Sequence, residues 1–181
     1  MPKSWPETSR QRVASTRVFD VHLARRTSPR TGVDHDFALI ECPDWVNVVA
    51  LTDNGELIFV EQYRHGTGAV TLEVPGGMVD PGESPEQAAR RELKEETGFD
   101  CQTLMWIGVV EPNPALQGNR CHSFLATGCR QVEAPSFDST EDCQLRLEPA
   151  TEARQLVLTG QISHALVVVA LSHAWLRGLL P

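Results

Sequence analysis

The chain has 181 residues, 41% of them hydrophobic and 22% charged, enough for one domain with a proper core or one domain with a small attachment. Sixteen Lys and Arg against 24 Asp and Glu leave a net charge of −8, which offers no field for a nucleic-acid backbone and argues against general DNA or RNA binding. The five cysteines (Cys42, Cys101, Cys121, Cys129, Cys143) are odd in number and form no CxxC pair, so they read as buried reduced thiols of a cytoplasmic protein rather than a disulfide framework or zinc knuckle.

The opening MPKSWPETSR lacks an apolar h-region and does not read as a signal peptide. Strand-like runs follow: VASTRVFDVHL, DFALIE, WVNVVALT, ELIFVEQ and VTLEV, with Asp53-Asn54-Gly55 as a hairpin turn between two of them. RRTSPRTGVDHD, Arg25 to Asp36, is expected to be a long polar loop that separates an N-terminal strand region, residues 1–35, from the main body, residues 36–181. Ser84, Pro85 and Gln87 form an S-x-x-Q capping box with proline at the first helical position, and Gly98 supplies the stop. Further strands are expected near CQTLMWIGVV, CHSFLAT and QLRLEP, with a polar loop at 128–141, then helices over about 151–158 and 163–179. The apolar run ALVVVAL in the last helix is too short to span a bilayer. Strands flanked by a few helices without regular βαβ alternation point to an α/β fold with a mixed sheet.

The helix carries RELKEETGF, and at about 100° per residue Glu92 and Glu96 share its inward face with Glu95 on the adjoining edge. Taken alone, such a run could be a solvated face of alternating charge. Partly buried, the same like charges need a cation among them, and Arg91 is expected to reach only Glu95 or the preceding loop. The loop VPGGMVDPGES has the glycines to bring a backbone carbonyl to that face, and oxygen-only ligands suit Mg²⁺ or Mn²⁺.

From Gly77 the chain reads G-x5-E-x7-R-E-U-x-E-E-x-G-U, with Gly77, Glu83, Arg91, Glu92, Leu93, Glu95, Glu96, Gly98 and Phe99 at every defined position of residues 77–99. This resembles the Nudix box without a departure. The resemblance implies an α/β/α sandwich with a mixed sheet and divalent-metal hydrolysis of a nucleoside diphosphate linked to another moiety. Carried over by position, it makes Glu92, Glu95, Glu96 and the Gly76 carbonyl metal ligands. Arg91 becomes the residue that orients Glu95 or Glu83, and Glu83 the least certain member of the acidic set.

Pro114, about fifteen residues past Phe99, and the run from Asp44 to Gly77 are similar to the ADP-ribose and nucleoside-diphosphate-sugar pyrophosphatases. That likeness covers roughly residues 36 to 175. It implies Arg64 on the substrate phosphates, Glu73 as site support or a ribose contact, Phe37 (or Phe19) against the base, and Met78 and Pro114 as further substrate contacts. Glu141 in DSTEDCQLRL is the expected base, with Asp142 second. The expected reaction is metal-assisted: divalent ions, Mg²⁺ or Mn²⁺, neutralise the pyrophosphate while water attacks phosphorus in line, so that ADP-ribose gives AMP and ribose 5-phosphate. Trp45 and His122 read as structural. The N-terminal strands are expected to pair across a two-fold in a homodimer. The alternatives are a Nudix hydrolase of a triphosphate, dinucleotide or capped RNA end, and a non-catalytic nucleotide sensor.

Overall fold

The computed structural model describes residues 2–137 and 142–181, and the chain divides into two units. One takes the residues up to Pro43 together with Glu111–Arg120; the other takes Asp44–Val110 and Cys121–Pro181.

The first unit is built on β1 (Glu7–Ser15), β2 (Asp20–Thr27) and β3 (Asp34–Glu41), an antiparallel sheet in the order β1-β2-β3. Two expectations are corrected here. VASTRVFDVHL is not one strand: Thr16 closes a turn, its Oγ1 accepting from the N–H groups of Val18 and Phe19 at 3.2 and 3.0 Å. Nor is the loop as long as expected: it spans only residues 28–33 between β2 and β3, and Arg25 and Asp36 lie in the strands. Those two residues are cross-strand partners, the guanidinium forking onto the carboxylate at 2.8 and 3.0 Å, and Thr27 donates to Asp34 at 2.7 Å. Polar side chains extend this hairpin by pairing across it, so its strands carry little hydrophobic signal. The Glu111–Arg120 segment is tied to the same unit by the Ile40 N–H, which donates to the Leu116 carbonyl at 2.8 Å, and by Asn119, which donates to the Pro43 carbonyl at 3.1 Å.

The second unit runs β4 (Trp45–Thr52), β5 (Glu56–Arg64), β6 (Ala69–Glu73), β7 (Gly76–Met78), α1 (Pro85–Thr97), β8 (Phe99–Asp100), β9 (Thr103–Val110), β10 (Cys121–Gln131), β11 (Cys143–Pro149), a 3₁₀ turn at Ala150–Glu152, α2 (Ala153–Leu158) and α3 (Ala165–Leu176). Its sheet has the order β11-β5-β4-β10-β8, with β6 on β5, β7 on β4 and β9 on β10. β4 and β10 are parallel and the other pairs antiparallel, which makes the sheet mixed. The β4–β5 turn is the Asp53-Asn54-Gly55 hairpin, with Gly55 at φ 79°, a conformation only glycine adopts without strain.

Side-chain alternation along β4 sorts the core. Val46, Val48 and Ala50 join Ile58, Phe124 and Ala126 against Ala88, Ala89 and Leu93 of α1. Val49 joins Leu57, Phe59 and Leu125 on the opposite face, under Leu156 of α2 and Val167, Ala170, Leu171 and Ala174 of α3. The sheet thus lies between two helical layers, the α/β/α sandwich expected from the sequence. Full burial of Leu93 alone is worth about 1.5–3 kcal/mol and sets the rotation of α1. Ser84 and Gln87 complete the capping box reciprocally at 3.2 and 2.8 Å, and Gly98 ends α1 at φ 74°. Among the described residues, no helix is long and apolar enough to cross a membrane.

Candidate active site

The rotation of α1 aims Glu92 and Glu96 at β7. Both are buried, at 8% and 4% exposure, whereas Glu95 is exposed. β7 accepts them because its first two residues have no side chains. A Cβ on Gly77 would meet the Glu92 carboxylate, and one on Gly76 would meet the Val46 carbonyl and the Asn47 side chain. The Gly76 N–H donates to Glu96 Oε2 at 2.9 Å, and β7 is held in place by its pairing with β4.

Arg91 spends all five of its donors on this corner. Nε and Nη2 fork onto Glu83 at 3.1 and 3.0 Å, and Nη2 also donates to the Met78 carbonyl at 2.9 Å. Nη1 donates to Glu92 at 2.8 Å and to Glu95 at 3.1 Å. The sequence-based expectation allowed Arg91 only Glu95 and the loop; the extended guanidinium also lies across its neighbour Glu92. Hydrogen bonding to Glu83 is the main influence that raises the Arg91 pKa, against burial, with Glu92 and Glu95 adding to it. In return, the Arg91 hydrogen bonds hold Glu83 below the ordinary carboxylate range. Glu83 therefore ties the loop to α1 through Arg91.

A second ion pair closes the ends of β5 and β6. Arg64 forks onto Glu73 with Nε–Oε1 at 2.7 Å and Nη2–Oε2 at 2.8 Å. The Glu73 side chain is only 5% exposed and that of Arg64 42%, so the guanidinium is anchored on one edge and open on the other. Burial pushes the Glu73 carboxyl up, but hydrogen bonds from Arg64 and from the Thr71 hydroxyl at 2.6 Å, with the charges of Arg64 and His164, bring it below its ordinary value. The negative charge of Glu96 also acts on Arg64, which links this pair electrostatically to the acidic face of α1.

The remaining sequence candidates are dispersed. Met78 pairs with Trp45 and gives its carbonyl to Arg91. Phe37 and Pro114 belong to the first unit, where Phe37 meets Trp5 edge-on at 5.7 Å. Asp142 is exposed just ahead of β11, and Glu141 lies outside the described residues. Thr71 and His164 were not singled out from the sequence. Thr71 had a signal in its period-2 spacing from Glu73 on β6; His164 had none beyond standing at the start of a helix.

The donor set suits a hard divalent cation. Glu92 and Glu96 offer buried oxygens one turn apart beside a backbone with no Cβ in the way. Among the described residues no three His, Cys, Asp or Glu side chains are gathered as a ready cage, since Arg91 draws Glu95 towards itself.

Comparison with known proteins gives four results. The NUDIX domain family model matches residues 43–168, a span that contains all of α1 and β7. The methanol dehydrogenase activator of Bacillus methanolicus is 32% identical over 168 residues, covering 92% of this chain and 87% of its own. The ADP-ribose pyrophosphatase of Bacillus subtilis (strain 168) is 28% identical over 170 residues, covering 93% and 91%. Among solved structures, the crystal structure of an ADP compounds hydrolase matches with a TM-score of 0.86 at 26% identity, covering 98% of this chain and 97% of that one.

Proposed function

The chain belongs to the NUDIX domain family, and from that premise we propose that it hydrolyses the pyrophosphate bond of ADP-ribose or a related nucleoside diphosphate sugar to a nucleoside monophosphate and a sugar phosphate. The observation that carries this reading is the pair of buried carboxylates, Glu92 and Glu96, held one turn apart against the side-chain-free backbone of Gly76 and Gly77. Relatives named for ADP-ribose and ADP compounds, matched over nearly the whole chain, support the substrate class.

NUDIX hydrolases work with a divalent metal. Here Mg²⁺, with Mn²⁺ as a substitute, would be held by Glu92, Glu95, Glu96 and the Gly76 carbonyl, and would supply charge neutralisation at the pyrophosphate. The chain's own groups do the rest. Arg91 fixes Glu92 and Glu95 relative to the loop. Arg64 presents the free edge of its guanidinium to phosphate oxygens. Glu141, in the segment ahead of β11, is assigned as the base that takes the proton from the attacking water. The new P–O bond forms as the bridging P–O bond breaks, and its electron pair leaves with the departing phosphate. Met78, Phe37 and Pro114 are assigned as further substrate contacts. The protein acts as a cytoplasmic homodimer; exposed Val13, Leu23 and Phe37 on the first unit's sheet support association through it.

The test is incubation with a panel of nucleotide sugars and Mg²⁺ and identification of the products. ADP-ribose should yield AMP and ribose 5-phosphate, and Glu96→Gln should abolish turnover with the fold kept. Wild-type protein that turns over no member of the panel would overturn the reading. Sedimentation at micromolar concentration tests the dimer.

A further inference from the structure

α1 and α3 begin in opposite ways. α1 has a serine cap with a complete capping box, whereas α3 starts at His164 with no side-chain cap hydrogen bond. Histidine is a poor choice for that position, where a short oxygen-bearing side chain would satisfy the first N–H groups. A local rule broken without local gain is more often found at functional sites than elsewhere.

The imidazole of His164 is turned away from its own helix to Glu73, with Nε2 4.0 Å from Oε2, the same carboxylate oxygen that receives Arg64 Nη2 at 2.8 Å. Its other nitrogen, Nδ1, is buried and meets no hydrogen-bond partner among the described residues, so none of them competes for the ring. Glu73 is thereby addressed from three elements. Arg64 reaches it from β5, Thr71 from its own strand β6 and His164 from the start of α3. α3 is fixed there in its turn, because Asn47 of β4 donates to the Leu166 carbonyl at 3.0 Å. A carboxylate hydrogen-bonded by Arg64 and Thr71, with the imidazole packed near its third side, gives the guanidinium one bearing and the free edge of Arg64 one direction.

We infer that His164 is a positioning residue that acts through Glu73 to orient Arg64 for phosphate binding. The inference rests on the assignment of Arg64 to the substrate phosphates made above. An imidazole that steadies a binding group is worth most in KM and little in kcat, since it touches neither the reacting atoms nor the acidic face of α1.

The experiment is a double-mutant cycle on ADP-ribose hydrolysis with His164→Ser, His164→Ala and Arg64→Ala. His164→Ser supplies α3 with a proper cap, so the helix is kept while the contact with Glu73 is lost. The expected result for both His164 variants is a rise in KM on the order of five-fold with kcat within about two-fold. In the Arg64→Ala background the His164 substitutions should add nothing further to KM. A wild-type KM for His164→Ser with thermal stability retained would overturn the proposal, as would an equal rise in KM whether or not Arg64 is present. A wild-type KM for Arg64→Ala would remove the phosphate role of Arg64 itself, and a panel without turnover would remove the hydrolase reading. The three failures are thus distinguishable.

Discussion

Glu92 occupies the space that any side chain at position 77 would need: a Cβ built on Gly77 falls against all three terminal atoms of the Glu92 carboxyl group. Those atoms are the far end of a flexible side chain, so Gly77→Ala should cost the fold little and the reaction much. A shift of about 1 Å in a ligating carboxylate is enough to lose on the order of 10²-fold in rate. At Gly76 the obstruction is the Val46 backbone carbonyl, which cannot step aside. Gly76→Ala should therefore destabilise the protein by about 1–3 kcal/mol as an overpacked site. Urea unfolding and steady-state kinetics on the two variants should separate in opposite directions, and equal loss of stability in both would contradict the geometry.

Arg91 joins Glu83, Met78, Glu92 and Glu95, and a lysine has neither the fork nor the donors to replace it. Arg91→Lys keeps the charge but leaves the Met78 carbonyl and part of the carboxylate set without partners. Arg91→Ala also removes the cation from beside the buried Glu92. The expected loss in unfolding free energy is about 3 kcal/mol for alanine and roughly half that for lysine. An Arg91→Lys protein with the wild-type urea midpoint would show that charge alone suffices.

Two carboxylates around the candidate site contribute to the acid sensitivity of the fold. Glu83 and Glu73 both have folded-state pKa values below their ordinary 4.5, Glu83 chiefly through its hydrogen bond from Arg91 and Glu73 because Arg64 and Thr71 outweigh its burial. A depressed carboxyl binds its proton more readily in the unfolded chain, so its contribution is fully present above pH 4.5 and is lost as pH falls through the folded value. Urea midpoints should be level near neutrality and fall below about pH 5. The fall should be shallower in Glu83→Gln, whose starting stability is lower. An unchanged slope in that variant would place the acid sensitivity elsewhere.

How much of this was legible depends on whether the signal was local. The ends of α1 could be read because Ser84, Pro85, Gln87 and Gly98 act within one turn of each other, and Glu92 and Glu96 because a helix repeats every 3.6 residues. The short apolar run of β4 likewise marked a strand, which the structure covers on both faces. The first unit was misread because every residue of β1 is exposed and the β2–β3 register rests on pairs such as Arg25 with Asp36. Such strands look like polar loop when the partner is not known. The same limit hid the contact of His164 with Glu73, which joins the start of the last helix to β6 through the tertiary fold alone. Arg64 was found as a phosphate candidate, yet nothing local showed that its inner edge would be committed to Glu73.

Divalent metal should stabilise the folded protein before any substrate is added. Glu92 and Glu96 are both buried and lie one helical turn apart, with Arg91 donating to Glu92 and the Gly76 N–H to Glu96, and like charges so placed favour a bound cation. An ion bound between them acts on the folded state alone, because the unfolded chain does not bring these carboxylates against Gly76 and Gly77. At about 100 times its dissociation constant, such an ion adds roughly 2.7 kcal/mol to stability. The unfolding temperature measured with Mg²⁺ should therefore exceed that with EDTA, and with Mn²⁺ as well. Glu96→Gln removes a ligand and part of the repulsion together, so this variant should unfold in EDTA at or above the wild-type temperature yet gain far less from the metal. A Glu96→Gln protein that gains as much as wild type would show that the ion binds elsewhere.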